Sequence, residues 1–209
     1  MRPHSFLSKL LGRNRQPPVS VENLLTVVVT VRLNVRANAE DRSYYYGDPL
    51  DAVLAAKSLG EVTDGGTMFD VDTGRIDYVD VEIGLQESSD ETLSLVVETL
   101  EGLGAPVGSV LNVVAEERKI HFGRFEGMSL FVDRASLTNP DDPSDEINTL
   151  LTGLEEAFGE VGAFRGYWEG QDACELYFYD PSFDAMRAKT AEFIALHPVL
   201  AHCQIKQIA

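Results

Sequence analysis

The sequence predicts an α+β chain of two successive units, each running strand, helix, strand, strand, helix, strand, with an antiparallel sheet that carries two helices on one face. Three patterns carry that prediction: stretches where apolar and polar residues alternate, stretches where apolar residues recur every three or four positions, and the same order of elements in both halves. The first unit is expected over residues 24–115 and the second over 119–209, with Glu116-Glu117-Arg118-Lys119 as the join and a mobile basic tail over 1–23.

In the first half, Leu24 to Val35 alternates with Val27, Val29, Val31, Leu33 and Val35 on one face, which marks a half-buried strand. Asp48-Pro49 then offers a helix start, Leu50, Val53 and Leu54 follow at helical spacing, and Gly60 stands where a closing glycine belongs. Thr67–Val71 and Ile76–Leu85 flank Asp72-Thr73-Gly74 and predict a hairpin. Ser88 and Glu91 make a capping box ahead of Leu93, Val96, Val97, Leu100 and Leu103, and Val107–Val114 completes the unit as a strand.

The second half repeats the order. His121 to Val132 is strand-like, Asn139-Pro140-Asp141-Asp142-Pro143 breaks the chain, and Ser144 caps a helix whose stripe is Ile147, Leu150, Leu151, Leu154 and Phe158. Ala163–Trp168 and Cys174–Tyr179 predict a hairpin around Glu169-Gly170-Gln171-Asp172. Asp180-Pro181 opens a last helix that His197-Pro198 stops, and Leu200–Ile208 is a final strand.

This order resembles tandem ferredoxin-like domains, a topology that hosts many unrelated functions. In the last third, Glu175-Leu176-Tyr177-Phe178-Tyr179-Asp180 with the helix and His197-Pro198 after it resembles small bacterial regulatory domains. Tyr167-Trp168-Glu169-Gly170 with Tyr177-Phe178-Tyr179 is similar to acidic immunity proteins of bacterial toxin systems. The resemblances imply a bacterial binding or regulatory protein and transfer no site residue.

Charge narrows the function classes. The 209 residues hold 17 Lys+Arg against 34 Asp+Glu, a net charge of −17. Nucleic-acid binding draws on clustered Lys and Arg that displace counterions, so this surface predicts no nucleic-acid partner and favours a basic protein. Arg2, Lys9, Arg13 and Arg15 give the tail the opposite sign, and Phe6, Leu7, Leu10 and Leu11 would make one narrow apolar stripe. The tail reads as neither a secretory signal nor a membrane anchor. No run reaches the length of a membrane span. Cys174 and Cys203 form no CxxC pair, so reduced thiols in a cytoplasmic protein are the expectation.

Motif tests return no catalytic residue, cofactor or metal. Asp70-Val71-Asp72-Thr73-Gly74 lacks the glycine and glutamate of a calcium loop. His197, His202 and Cys203 do not have a ligand spacing, and Gly102-Leu103-Gly104 follows a helix where a nucleotide-binding turn would follow a strand. No serine lies in a nucleophile elbow. A non-enzyme is therefore expected.

Candidate sites then fall on the sheet faces opposite the helices. In the first unit Arg32 and Arg36 would face Tyr78, Asp80 and Glu82 as a cross-strand ladder or a polar floor. In the second, Tyr177 and Tyr179, joined by Arg165, Tyr167 and Trp168, would anchor a partner, since Tyr, Trp and Arg bury large area while keeping a polar handle. The same aromatics would instead be structural if the two open sheets packed on each other. The leading expectation is a binding protein that modulates or neutralises a protein partner. The alternatives are a metabolite sensor made of paired units and a structural homodimer.

Overall fold

The structure, a computed structural model, describes residues 27–139, 144–159 and 162–209. The expected tail, the first residues of the opening strand and most of the Asn139–Pro143 breaker lie outside the described residues.

Strand β1 (Val27–Leu33) occupies the centre of a five-stranded antiparallel sheet in the order β2-β3-β1-β4-β5. Its partners are β3 (Ile76–Leu85) and β4 (Ser109–Val113), while β2 (Gly60–Phe69) and β5 (Arg118–Phe122) form the edges. Helices α2 (Asp48–Lys57) and α3 (Asp90–Gly102) cover one face. Leu50 and Leu54 of α2 and Leu93, Val96 and Leu100 of α3 close over Val29, Val31, Val79, Val81, Ile83 and Leu111. Each such side chain, removed from water, contributes about 1.5–3 kcal/mol before conformational entropy is charged against it.

The second sheet has the order β7-β8-β6-β9, from β6 (Glu126–Asp133), β7 (Ala163–Glu169), β8 (Ala173–Asp180) and β9 (Gln204–Gln207). Its helices α4 (Ser144–Phe158) and α5 (Phe183–Leu196) pack Leu150, Leu154, Phe158 and Met186 onto Met128, Leu130, Val132, Leu176 and Phe178. In both sheets the first and third strands of the unit are central and the second and fourth flank them. The chain is two tandem ferredoxin-like units, with one extra strand on the first.

That extra strand is the main departure from the expected elements. The stretch expected as one strand from His121 to Val132 is two: Arg118–Phe122 returns as a hairpin on β4 of the first sheet, and Glu126–Asp133 begins the second. Gly123 makes the break. It takes φ +106°, and a Cβ there would collide with the Pro106 carbonyl.

The first helix also starts earlier than Asp48. Asn38 accepts the Asp41 N–H at 2.8 Å and caps a short turn α1 (Ala39–Arg42), and a wider π-helical turn over Ser43–Gly47 then runs into α2. Pro49 has no N–H to offer the preceding turn, and the wide turn sits where that bond would be missing. Strand β2 is longer than Thr67–Val71 and begins at Gly60; Gly65, Gly66 and Asp64 give it low strand propensity and hid it from the alternation test. The last strand is shorter than Leu200–Ile208, because Pro198–Leu200 forms a 3₁₀ turn with Leu200 buried in the second core. Among the described residues no helix is long and apolar enough to cross a membrane.

Candidate functional site

Each sheet has one face turned away from its helices, and the two faces differ. On the second sheet the register puts Glu175, Tyr177 and Tyr179 of β8 beside Trp168, Gly166 and Ala163 of β7 and Phe131, Ser129 and Gly127 of β6. This face is covered by the first unit. Tyr177 and Tyr179 are both 0% exposed and belong to the first unit's core, together with Trp168, Ile208 and Ala209 at its margin.

Three arginines stitch the covered face. The Arg36 N–H donates to the Tyr179 hydroxyl at 2.9 Å, and its guanidinium lies 5.8 Å from the Tyr177 ring centre. Arg75, at the end of the β2–β3 turn, stacks 3.9 Å above Trp168 and donates Nε and Nη2 to Glu175 Oε1 at 3.1 and 2.9 Å. The other oxygen of Glu175 accepts from the Tyr177 hydroxyl at 3.1 Å and from Ser129 at 3.3 Å. Arg165 sits in a β-bulge between Phe164 and Gly166 and turns out of the strand's alternation to stack 4.2 Å from Tyr45. Burial pushes the Tyr179 hydroxyl up to about 12, with Arg36 opposing it, and pushes Tyr177 up further, with Glu175 adding to the rise.

The sequence-predicted partner surface is thus divided and mostly consumed. Arg165, Trp168, Tyr177 and Tyr179 come together on one face, but they hold the two units to each other and Tyr177 and Tyr179 offer nothing to solvent. Tyr167 pairs with Leu176 on the opposite, helix-bearing face, where it is 56% exposed beside Ile147 and Leu151 of α4. The covering surface is the β1–α1–α2 end of the first unit and its β2–β3 turn, so the two open sheet faces do not pack on each other.

The open face of the first sheet stays free. Its cross-strand rows are set by register: Asp64, Glu82, Thr30, Asn112 and Lys119 form one row, and Gly66, Asp80, Arg32, Val110 and His121 the next. Thr30, Arg32, Asp80, Val110, Asn112, Lys119 and His121 line a hollow of about 280 Å³. Acids gather on β2 and β3, and bases on β1 and β5. Asp80 is neutralised by Arg32, whose Nε donates to it at 3.2 Å while its guanidinium lies 3.6 Å above Tyr78. Lys119 and His121 are exposed and have no charge partner among the described residues. Arg36, expected on this face, has left it: β1 ends at Leu33 and Arg36 turns to the second unit.

Sequence reasoning found Arg32, Tyr78, Asp80 and Glu82 and missed Lys119, His121 and Asn112. The signal was there in Arg118-Lys119-Ile120-His121-Phe122, which alternates but was split between a join and a longer strand. The hollow offers Lys119 and His121 as side-chain donors, Asn112 and Thr30 as neutral hydrogen-bonding groups, and the two unengaged nitrogens of Arg32, beside the Asp80 carboxylate.

No protein-family model matches the chain, and no curated protein matches it. Among solved structures, it is similar to the first two RRM domains of yeast poly(U) binding protein, at 11% identity and TM-score 0.24 over 87% of this chain and 99% of that one. It is also similar to monooxygenase-type proteins from Fusobacterium nucleatum (11% identity, TM-score 0.29, 87% of this chain and 90% of that one) and Lactobacillus acidophilus (12%, 0.30, 87% and 92%). An anthrone oxidase-like protein is a further match, at 16% identity and TM-score 0.24 over 86% of this chain and 88% of that one. These names correct the expectation of a non-enzyme: structures described as monooxygenases and as anthrone oxidase-like stand among the matches. At such TM-scores the matches carry no argument about which reaction or ligand belongs to this chain.

Proposed function

We propose that the chain is a binding protein that takes a small anionic metabolite on the open face of its first sheet. The observation that carries this reading is the contrast between the faces: one is filled by the chain itself, and the other keeps a hollow lined by the exposed Lys119 and His121, with no acidic partner for either among the described residues. The net charge of −17 opposes the approach of an anion at long range. That repulsion is screened beyond roughly 8 Å at physiological ionic strength, whereas contacts to Lys119 and His121 are not, so short-range donors decide the outcome. The two cysteines are free thiols, which supports a reducing, cytoplasmic setting.

The test is a thermal-shift and calorimetric titration of the full chain with acetate, citrate and inorganic phosphate, repeated on Lys119→Ala/His121→Ala. Saturable binding that the double substitution weakens at least roughly tenfold supports the reading, and binding it leaves unchanged, or none at all, overturns it. The acidic composition favours a second reading, a basic protein partner steered by complementary charge. That partner would bind with an affinity falling steeply with salt and indifferent to Lys119 and His121.

A further inference from the structure

The hollow on the open face has hydrogen-bond donors at two ends. At one end Arg32 is fixed on two sides: its Nε is spent on Asp80 at 3.2 Å, and its plane lies 3.6 Å from the Tyr78 ring centre. Nη1 and Nη2 have no hydrogen-bond partner among the described residues, so they remain as a planar fork on a guanidinium that cannot swing away without giving up both contacts. At the other end Lys119 and His121 stand two residues apart on β5. Strand β4 runs between, and it contributes only neutral groups to this face, Val110 opposite Arg32 and His121 and Asn112 opposite Thr30 and Lys119.

Two strand spacings separate β1 from β5, about 10 Å between their backbones. Asp80 and Tyr78 hold Arg32 on the β3 side of β1, away from β5, so its free fork and the Lys119–His121 pair stand at least that far apart and a single small anion satisfies one end alone. We infer that the ligand is a dicarboxylate, one carboxylate in the fork of Arg32 and the other at Lys119 and His121, with an aliphatic spine lying over Val110 and within reach of the Asn112 amide. This rests on the anion-binding reading above and adds to it a second anchoring point and a length. The fork matches a planar carboxylate bidentately, the Val110 side chain suits methylenes, and the cavity of about 280 Å³ leaves room for a chain of this size.

The experiment is a calorimetric titration of the full chain, at constant ionic strength, with acetate, succinate, glutarate, adipate, pimelate and inorganic phosphate. The inference expects affinity to rise with length to an optimum between glutarate and pimelate, at least roughly tenfold tighter than acetate, since a second charge-assisted contact is worth that much. Arg32→Ala and Lys119→Ala/His121→Ala should each reduce the best diacid to the level of acetate, and combining them should abolish binding. Tyr78→Ala, which leaves every charge in place, should weaken the diacid and leave acetate at the β5 end unchanged. Unliganded melting temperatures of the variants show whether the fold is intact. Equal affinity for all the carboxylates, or phosphate binding as tightly as the best diacid, overturns the dicarboxylate inference while leaving anion binding standing. No binding of any probe overturns both.

Discussion

The two units share a strand order and an alternation pattern, yet the first keeps its open face and the second gives its own away. The residues on the faces explain the difference. The second sheet presents Tyr177, Tyr179, Trp168 and the small residues Gly166 and Ser129, a surface with large apolar area and room for close approach. At Gly166 a Cβ would stand 2.6 Å from the Arg36 carbonyl, so the glycine is what lets the first unit's backbone reach the sheet. The first sheet presents Thr30, Asn112, Glu82, Asp80, Arg32 and Lys119, whose hydration is costly to remove. Topology supplied two equivalent faces, and side-chain chemistry decided which was buried.

The largest effect should come from Tyr179→Ala. It empties a fully buried site shared by both units and strips the Arg36 N–H of its acceptor. About 3–5 kcal/mol should be lost in denaturant unfolding. Gly166→Ala should cost about 1–3 kcal/mol by forcing the two units apart, and a variant as stable as the parent would break the claim that close approach matters there. Arg75→Ala should cost about 2 kcal/mol, because Glu175 would keep its charge in a mostly buried position with its principal donor gone. Arg32→Ala is the control on the other face. Its pair with Asp80 leaves the Arg32 side chain 49% exposed, and such a pair contributes about 0–1 kcal/mol.

A pH series sharpens the same contrast. The Tyr179 hydroxyl is raised from 10.0 to about 12 in the folded chain, so the folded state holds its proton where the unfolded state releases it. Its contribution is fully present below pH 10 and declines as pH rises from 10 through about 12. Thermal melts at pH 9, 10 and 11 should show the fall, and Tyr179→Phe, which has no proton to lose there, should show a shallower one.

The periodic elements were legible in the sequence because burial on one side writes itself as alternation or as a helical stripe: β3, α3, α4, β7, β8 and α5 all fall within a few residues of expectation. Elements that bury little wrote nothing. Edge strand β2, with Gly60, Gly65, Gly66 and Asp64, pairs through its backbone and has no stripe to show. The helical turns over Ala39–Gly47 were hidden by Pro49, which marks a helix start in sequence and here follows a turn already helical. The aromatic face of the second sheet was legible as a surface for docking. What covers it was not, because the Arg36, Arg75 and Tyr45 contacts link positions about 100 or more residues apart and leave no local pattern. Lys119 and His121 were readable as an alternating strand, but assigning that strand to the first sheet requires knowing that Gly123 turns the chain.

The most direct test of the account is a map of backbone amide shifts as the full chain is titrated with adipate. The account predicts that Thr30, Arg32, Val110, Asn112, Lys119 and His121 move together and saturate, while Gly166, Tyr177 and Tyr179 stay still. Shifts centred on the β7–β8 hairpin, with the first sheet unmoved, would contradict it.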